Sequence, residues 1–206
     1  MFLDVTAYTD RLIEVYKKLD DEYRLVADEY EGFSCEGCES ICCDQVFIHL
    51  TLIEHFHLLE GFRKLPAKRR EEILERAEEY NRGFSATSSP EENFRMLCPL
   101  CEYSRCTLHP YRPLLCRVYG LPGKLVKPSG EELLFDGCAR FKKKFSRVEL
   151  RLNRTEFFAS VAEIEKDLRK ALAYFQRYRK TVAQMLLDEK RRDALIMRAY
   201  DFFEGY

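Results

Sequence analysis

No stretch of this sequence approaches the roughly 20 apolar residues that a helix needs to span a bilayer, so membrane insertion is not expected. The opening MFLDVTAYTDR lacks the basic region and long apolar run of a secretory signal, and the chain is expected to be soluble and cytoplasmic. Net charge is only -1, which removes the electrostatic reason to expect nucleic acid as a partner. A glycine-rich loop able to cradle a nucleotide-like cofactor is missing too. What the chain does have is apolar mass and cysteine. With 206 residues, 46% of them hydrophobic, it can bury a real core. It reads as one domain, residues 1–206, that does not need metal merely to be large enough to fold.

Nine cysteines fall in two groups, Cys35 to Cys43 and Cys98 to Cys138. In a reducing cytoplasm such a set is expected to hold metal or do redox chemistry rather than build a disulfide framework. The first group spaces Cys35, Cys38, Cys42 and Cys43 as C-x2-C-x3-C-C. Two cysteines two residues apart can curl around one ion, with Gly37 freeing the turn and backbone N–H groups facing the sulfurs. Adjacent Cys42 and Cys43 diverge, so they are placed for two neighbouring centres, or for one centre and one reactive thiol. The second group holds Cys98, Cys101, Cys106, Cys116 and Cys138. Four thiolates around a divalent ion, or around an oxidised four-iron cluster, leave a net negative charge that needs positive neighbours. Arg112 and Arg117 flank Cys116, and Arg105 precedes Cys106, offering guanidinium donors to sulfur. His109, between Cys106 and Cys116, could replace or supplement a thiolate.

The run from Cys35 to Cys43, with Cys98-Pro99-Leu100, the segment CTLHPYRPLLCR at 106–117 and a final cysteine, resembles the CxxCxxCC cysteine-cluster family, described as a zinc- or iron-chelating domain. The likeness covers about residues 33–140. It implies metal ligation by Cys35, Cys38, Cys42, Cys43, Cys98, Cys106, Cys116 and Cys138, and leaves Cys101 as an extra. Three residues rather than the commoner two precede the paired cysteines, and His109 stands where many relatives have tyrosine. The family is distantly similar to the cysteine domain of flagellin lysine N-methylase, which implies an iron–sulfur protein, but the likeness stops at that domain. Soft thiolates with few competing ligands suit zinc and iron–sulfur alike; the extra cysteines and the family branch favour iron–sulfur. Two further functions are open: a protein-modifying, methyltransferase-like enzyme working through Cys43 or Cys101 or an open metal position, and a zinc-braced interaction module.

Around the cysteines the pattern is helical, giving a mainly α fold. Val5, Tyr8, Leu12, Val15, Leu19, Tyr23, Val26 and Tyr30 share one helical face, with Gly32 as a stop. Thr51 and Glu54 form a capping box for a second helix ending at Gly61. Pro66 and Gly83 bracket a third helix that buries Ile73, Leu74, Ala77 and Tyr80, and Ser89 caps a short fourth. Residues 98–138, rich in proline and glycine, should be turns and loops. From Phe157 to Met185 a heptad seam predicts one long terminal helix over 153–203, packed on the first helix of residues 1–31. Residues 1–45 carry net charge -8 and residues 140–206 net +7, as expected of helices packed with complementary flanks. The basic stretch RFKKKFSR at 140–147, with Lys142, Lys143 and Lys144, is the candidate contact for an acidic protein partner. His55 and His57, two apart on a helix, point to different faces and are expected at or near the surface rather than as ligands.

Overall fold

The computed structural model describes residues 4–34 and 42–191, the side chains of Cys42 and Arg191 excepted. The fold is mainly helical, with small sheets inserted between its helices. Among the described residues no helix is long and apolar enough to cross a membrane.

The first helix, α1 (Thr6–Asp28), buries Leu12, Tyr16, Leu19 and Val26 on one stripe. Its chain reverses through Glu31 and Gly32, both at positive φ, which glycine adopts without steric cost. On either side of that turn Tyr30 and Phe33 meet the rings of Phe141 and Phe145. The Tyr30 hydroxyl accepts from the Glu149 and Leu150 N–H groups and donates to the Leu150 carbonyl.

The second helix, α2 (Leu52–Arg63), starts at the expected capping box, with both reciprocal hydrogen bonds made. It is the centre of the molecule: every residue from Leu52 to Leu59 is buried, because α1 and the C-terminal helices α7 (Thr155–Ala171) and α8 (Val182–Arg191) all pack on it. A helix enclosed on all sides has no solvent face. That corrects the expectation for the histidines, since different faces of α2 are all interior. His55 is fully buried, with Nε2 2.9 Å from the Met185 carbonyl and Nδ1 2.8 Å from the Tyr178 hydroxyl. A carbonyl only accepts, so Nε2 carries the proton and Nδ1 accepts from Tyr178. His57 is buried against the rings of Tyr16 and Tyr111.

Two glycines expected to end helices lie inside them. Gly61 sits within α2 because the Tyr111 ring lies against it; a Cβ there would clash with that ring. Gly83 sits within α3 (Ala67–Ala86), where a Cβ would meet the Phe94 ring at 2.9 Å. Ile73, Ala77 and Tyr80 of α3 are buried as expected, and Leu74 only partly so. Ser89 does not cap: it is left-handed and precedes a single turn, α4 (Pro90–Asn93), with no side-chain hydrogen bond to it.

The heptad seam does not form one helix. The chain breaks after α7, where Ala173 takes positive φ and Arg169 donates to the carbonyls of Tyr174 and Gln176. It restarts at α8, opened by reciprocal bonds between Thr181 and Gln184. The expected helix beyond residue 191 lies outside the described residues. The packing of α7 on α1 is as expected, and Arg11 pairs with Asp167 across it at 2.8 Å. α8 packs on α3. A three-stranded sheet of β3 (Gly123–Val126), β4 (Glu132–Phe135) and β5 (Leu152–Asn153) runs in the order β4-β3-β5, antiparallel then parallel.

Two measurements check this packing. Gly61→Ala gains helix propensity yet drives a Cβ into a ring that must move, so its urea midpoint should fall, by about 1–3 kcal/mol of stability. Burial lowers the pKa of His55 from 6.5 to about 3. The unfolded chain therefore takes up a proton as pH falls through 6.5 while the native state does not, and stability present above that value is lost between the two. His109, lowered to about 4 chiefly by burial and also by Arg112, adds to the same interval. Denaturation between about pH 6 and pH 5 should show a shallower loss in His55→Gln than in the parent, by up to about 1.4 kcal/mol per pH unit.

Candidate functional site

Pro99 and Leu100 force a tight turn after Cys98, in which the Cys101 N–H donates to the Cys98 carbonyl at 2.8 Å. The Leu100 N–H is directed at the Cys98 sulfur. The chain then forms a hairpin of β1 (Cys101–Glu102) and β2 (Arg105–Cys106), pairing Cys101 with Cys106 and Glu102 with Arg105. Its two-residue tip, Tyr103 and Ser104, has φ of 48° and 62°. Glu102 is held by both Arg69 and Arg76 of α3, and Arg76 also donates to the Pro99 carbonyl, so the hairpin is tied to a helix. The Leu108 N–H then faces the Cys106 sulfur.

After the turn at His109–Tyr111, Pro113 opens the short helix α5 (Leu114–Val118), which carries Cys116. The N-terminus of α5 is received by Glu54 of α2, whose Oε1 accepts the Leu114 N–H at 2.7 Å and the Tyr16 hydroxyl at 3.0 Å. Its Oε2 accepts the Thr51 N–H and hydroxyl at 2.8 Å each. Glu54 is buried with four donors, which is what a buried carboxylate requires.

The two sequence clusters meet here. The Cys98 N–H donates to the Cys43 carbonyl at 2.8 Å, which sets the end of the first cluster against the start of the second. From the turn, the hairpin and α5, Cys98 and Cys106 are near enough to Cys101, to Cys116 and to each other for their charges to interact. Each of the four is half-buried. Burial pushes the Cys98 thiol up to about 12, and neighbouring thiols add to that. Burial likewise raises Cys106, and raises Cys116 well above the ordinary thiol range. Burial thus favours the protonated thiol at Cys98, Cys106 and Cys116, and a cation bound there would have to displace those protons.

Arg112 supplies charge of the right sign, lowering both Cys106 and Cys116 against the effect of burial. Its Nε is buried without a hydrogen-bond partner among the described residues, while Nη1 bonds His109 Nε2. That ring nitrogen, expected as a possible ligand, is therefore already occupied. Arg117 is buried, but its donors go to oxygen: to Asp20 at 2.7 Å, to the Arg112 carbonyl at 3.0 Å and to the Pro110 carbonyl. Its guanidinium lies 4.0 Å from the centre of the Tyr16 ring. It braces the turn before α5 against α1, and its charge reaches Cys106.

Cys138 has a separate local task. Its N–H donates to the Gly120 carbonyl and its sulfur accepts the Phe141 N–H at 3.4 Å, capping α6 (Ala139–Lys144). Cys35, Cys38 and the Cys42 side chain lie outside the described residues. Among the described residues, no three of His, Cys, Asp and Glu form a ready group able to hold a metal ion. The donor chemistry and the local charge thus suit a soft metal, while a closed ligand set is not assembled from the described side chains. The residues that the sequence undervalued are Cys101, whose pairing with Cys106 depends on a hairpin without an Asn-Gly signal, and Glu54 and Glu102, which act across elements far apart in sequence.

The chain matches no family model, no curated protein and no solved structure.

Removing the Glu54 carboxylate should loosen the site along with the fold. Glu54→Ala orphans the Leu114 N–H and the Tyr16 hydroxyl in the interior. It is expected to cost more than about 2 kcal/mol in urea denaturation and to speed labelling of Cys116 by a thiol reagent.

Proposed function

We propose that this protein binds metal through its clustered thiolates, holding an iron–sulfur cluster in preference to zinc. The observation that carries the reading is the junction of the two cysteine clusters, in which the Cys98 N–H bonds the Cys43 carbonyl beside the gathered thiols of Cys98, Cys101, Cys106 and Cys116. Backbone N–H groups directed at Cys98 and Cys106, and a buried guanidinium N–H of Arg112 without a partner among the described residues, support it as sites of interaction with anionic sulfur. The resemblance to the CxxCxxCC family adds Cys35, Cys38, Cys42 and Cys138 to the residues that would serve as ligands. Such a cluster, when bound, supplies one-electron transfer, and zinc would supply a structural cross-link. The chain's own part is to gather the thiols, shield them partly from water and neutralise their charge through Arg112. A reducing compartment such as the cytoplasm keeps those thiols available.

The deciding experiment is purification without oxygen, followed by a visible spectrum and by assays of iron, zinc and acid-labile sulfide. Iron and sulfide in fixed proportion, with broad visible absorption, are expected, and Cys98→Ser and Cys116→Ser should each remove most of the bound metal. A colourless preparation with stoichiometric zinc and no sulfide would overturn the preference for iron–sulfur. A metal-free protein after reconstitution with either metal would overturn the whole reading.

A further inference from the structure

Cys101 and Cys106 face each other across a hairpin whose register is set twice. Glu102 pairs with Arg105 beside the two-residue tip, and on the other side the Thr107 N–H donates to the Leu100 carbonyl at 2.7 Å. Hydrogen-bonded and non-hydrogen-bonded pairs alternate along an antiparallel ladder. With residues 100 and 107 hydrogen-bonded, the pair between them and the tip, Cys101 and Cys106, is the non-hydrogen-bonded kind. In such pairs the Cα atoms are about 4.5 Å apart and the side chains lie on the same face. A disulfide needs Cα atoms about 4.4–6.8 Å apart. The hairpin cannot easily slip out of this register, because Glu102 is clamped by Arg69 and Arg76. Its tip twists as a two-residue hairpin must, although Tyr103 and Ser104 both pay for positive φ. Both cysteines are half-buried and therefore open to a small reagent.

We infer that Cys101 and Cys106 form a reversible dithiol–disulfide couple that exchanges with small-molecule disulfides of the glutathione class. One thiolate attacks the external disulfide, forming a mixed disulfide and expelling one small thiol. The second thiolate attacks the protein-side sulfur of that mixed disulfide and expels the other. One S–S bond forms between Cys101 and Cys106 and one S–S bond of the oxidant is broken. The two electrons and the two thiol protons end on the two released small thiols. The couple requires only the hairpin. One consequence rests on the metal-thiolate reading: closing the bond withdraws Cys106 from the metal donors, so oxidation would release metal.

The test uses the full-length, metal-free protein, equilibrated with oxidised and reduced glutathione, quenched with acid and alkylated. Trypsin cuts after Arg105, between the two cysteines, so the bond should appear as two linked peptides that dithiothreitol separates; fragmentation then assigns the sulfurs. The Cys101–Cys106 linkage should persist in Cys98→Ser and in Cys116→Ser, and vanish in Cys101→Ser. A Cys98–Cys101 or Cys106–Cys116 bond in the parent protein would overturn the inference, as would glutathione attached to Cys101 and Cys106 singly without a bond between them. Because metal is absent throughout, failure here leaves the metal reading untouched, and a protein that never binds metal can still pass.

Discussion

The buried carboxylate of Glu54 is the constraint on which the arrangement of the thiols depends. An ionised carboxyl group withdrawn from water costs several kcal/mol unless its lone pairs are filled, and here four donors fill them from three separate elements. Thr51 makes Glu54 part of the N-terminal cap of α2, Tyr16 ties it to α1, and Leu114 makes it the acceptor for the first turn of α5. One side chain thereby fixes where the helix carrying Cys116 meets the centre of the molecule. Arg117 repeats the connection a turn further on, pairing with Asp20 of α1 while holding the carbonyls of Pro110 and Arg112. These polar ties work beside the apolar anchors of the loop-rich segment, Leu114 and Val118 of α5 among them, while the two-residue strands β1 and β2 bury little apolar surface of their own.

Local signals in the sequence were faithful where the cause was local. The stripe from Leu12 to Val26 and the Thr51–Glu54 capping box appear as read, since both depend on residues within two turns of one another. Gly61 and Gly83 misled because their cause lies elsewhere in the chain: each is small so that a ring, Tyr111 or Phe94, can lie against a helix. The seam from Phe157 to Met185 misled differently. Its spacing keeps phase on both sides of Ala173, so periodicity alone could not expose the break, although the Thr181–Gln184 pair marks a new helix start. The histidine error came from assuming that α2 has a wet face.

In the candidate site, sequence spacing found the cysteines but not their neighbours. That Cys43 and Cys98 would meet through a backbone hydrogen bond needs the return of α2 and α3, which no motif encodes. Cys101 fell outside the family spacing and was read as an extra or as a candidate reactive thiol; the hairpin sets it opposite Cys106. The sequence assigned Arg112 and Arg117 one role between them, as guanidinium donors to sulfur. Arg117 spends its donors on oxygen, whereas Arg112 keeps a buried N–H without a partner among the described residues.

Thiols raised by burial form a poised system rather than an inert one. A neutral thiol in a half-buried setting is a poor nucleophile and a poor ligand, so the gathered sulfurs gain little until a process removes their protons and supplies a partner. Metal binding, as proposed, would do this by replacing protons with a cation, and the charge of Arg112, which lowers the pKa of Cys106 and Cys116, would favour that exchange. Disulfide closure does it by removing protons and electrons together, and leaves no charge to stabilise. Cys106 stands where the two outcomes compete, because it faces Cys101 across the hairpin and shares its charge environment with Cys116. On the metal-binding proposal, the packing that gathers these thiols would also supply, in the hairpin, a means of withdrawing one of the ligands.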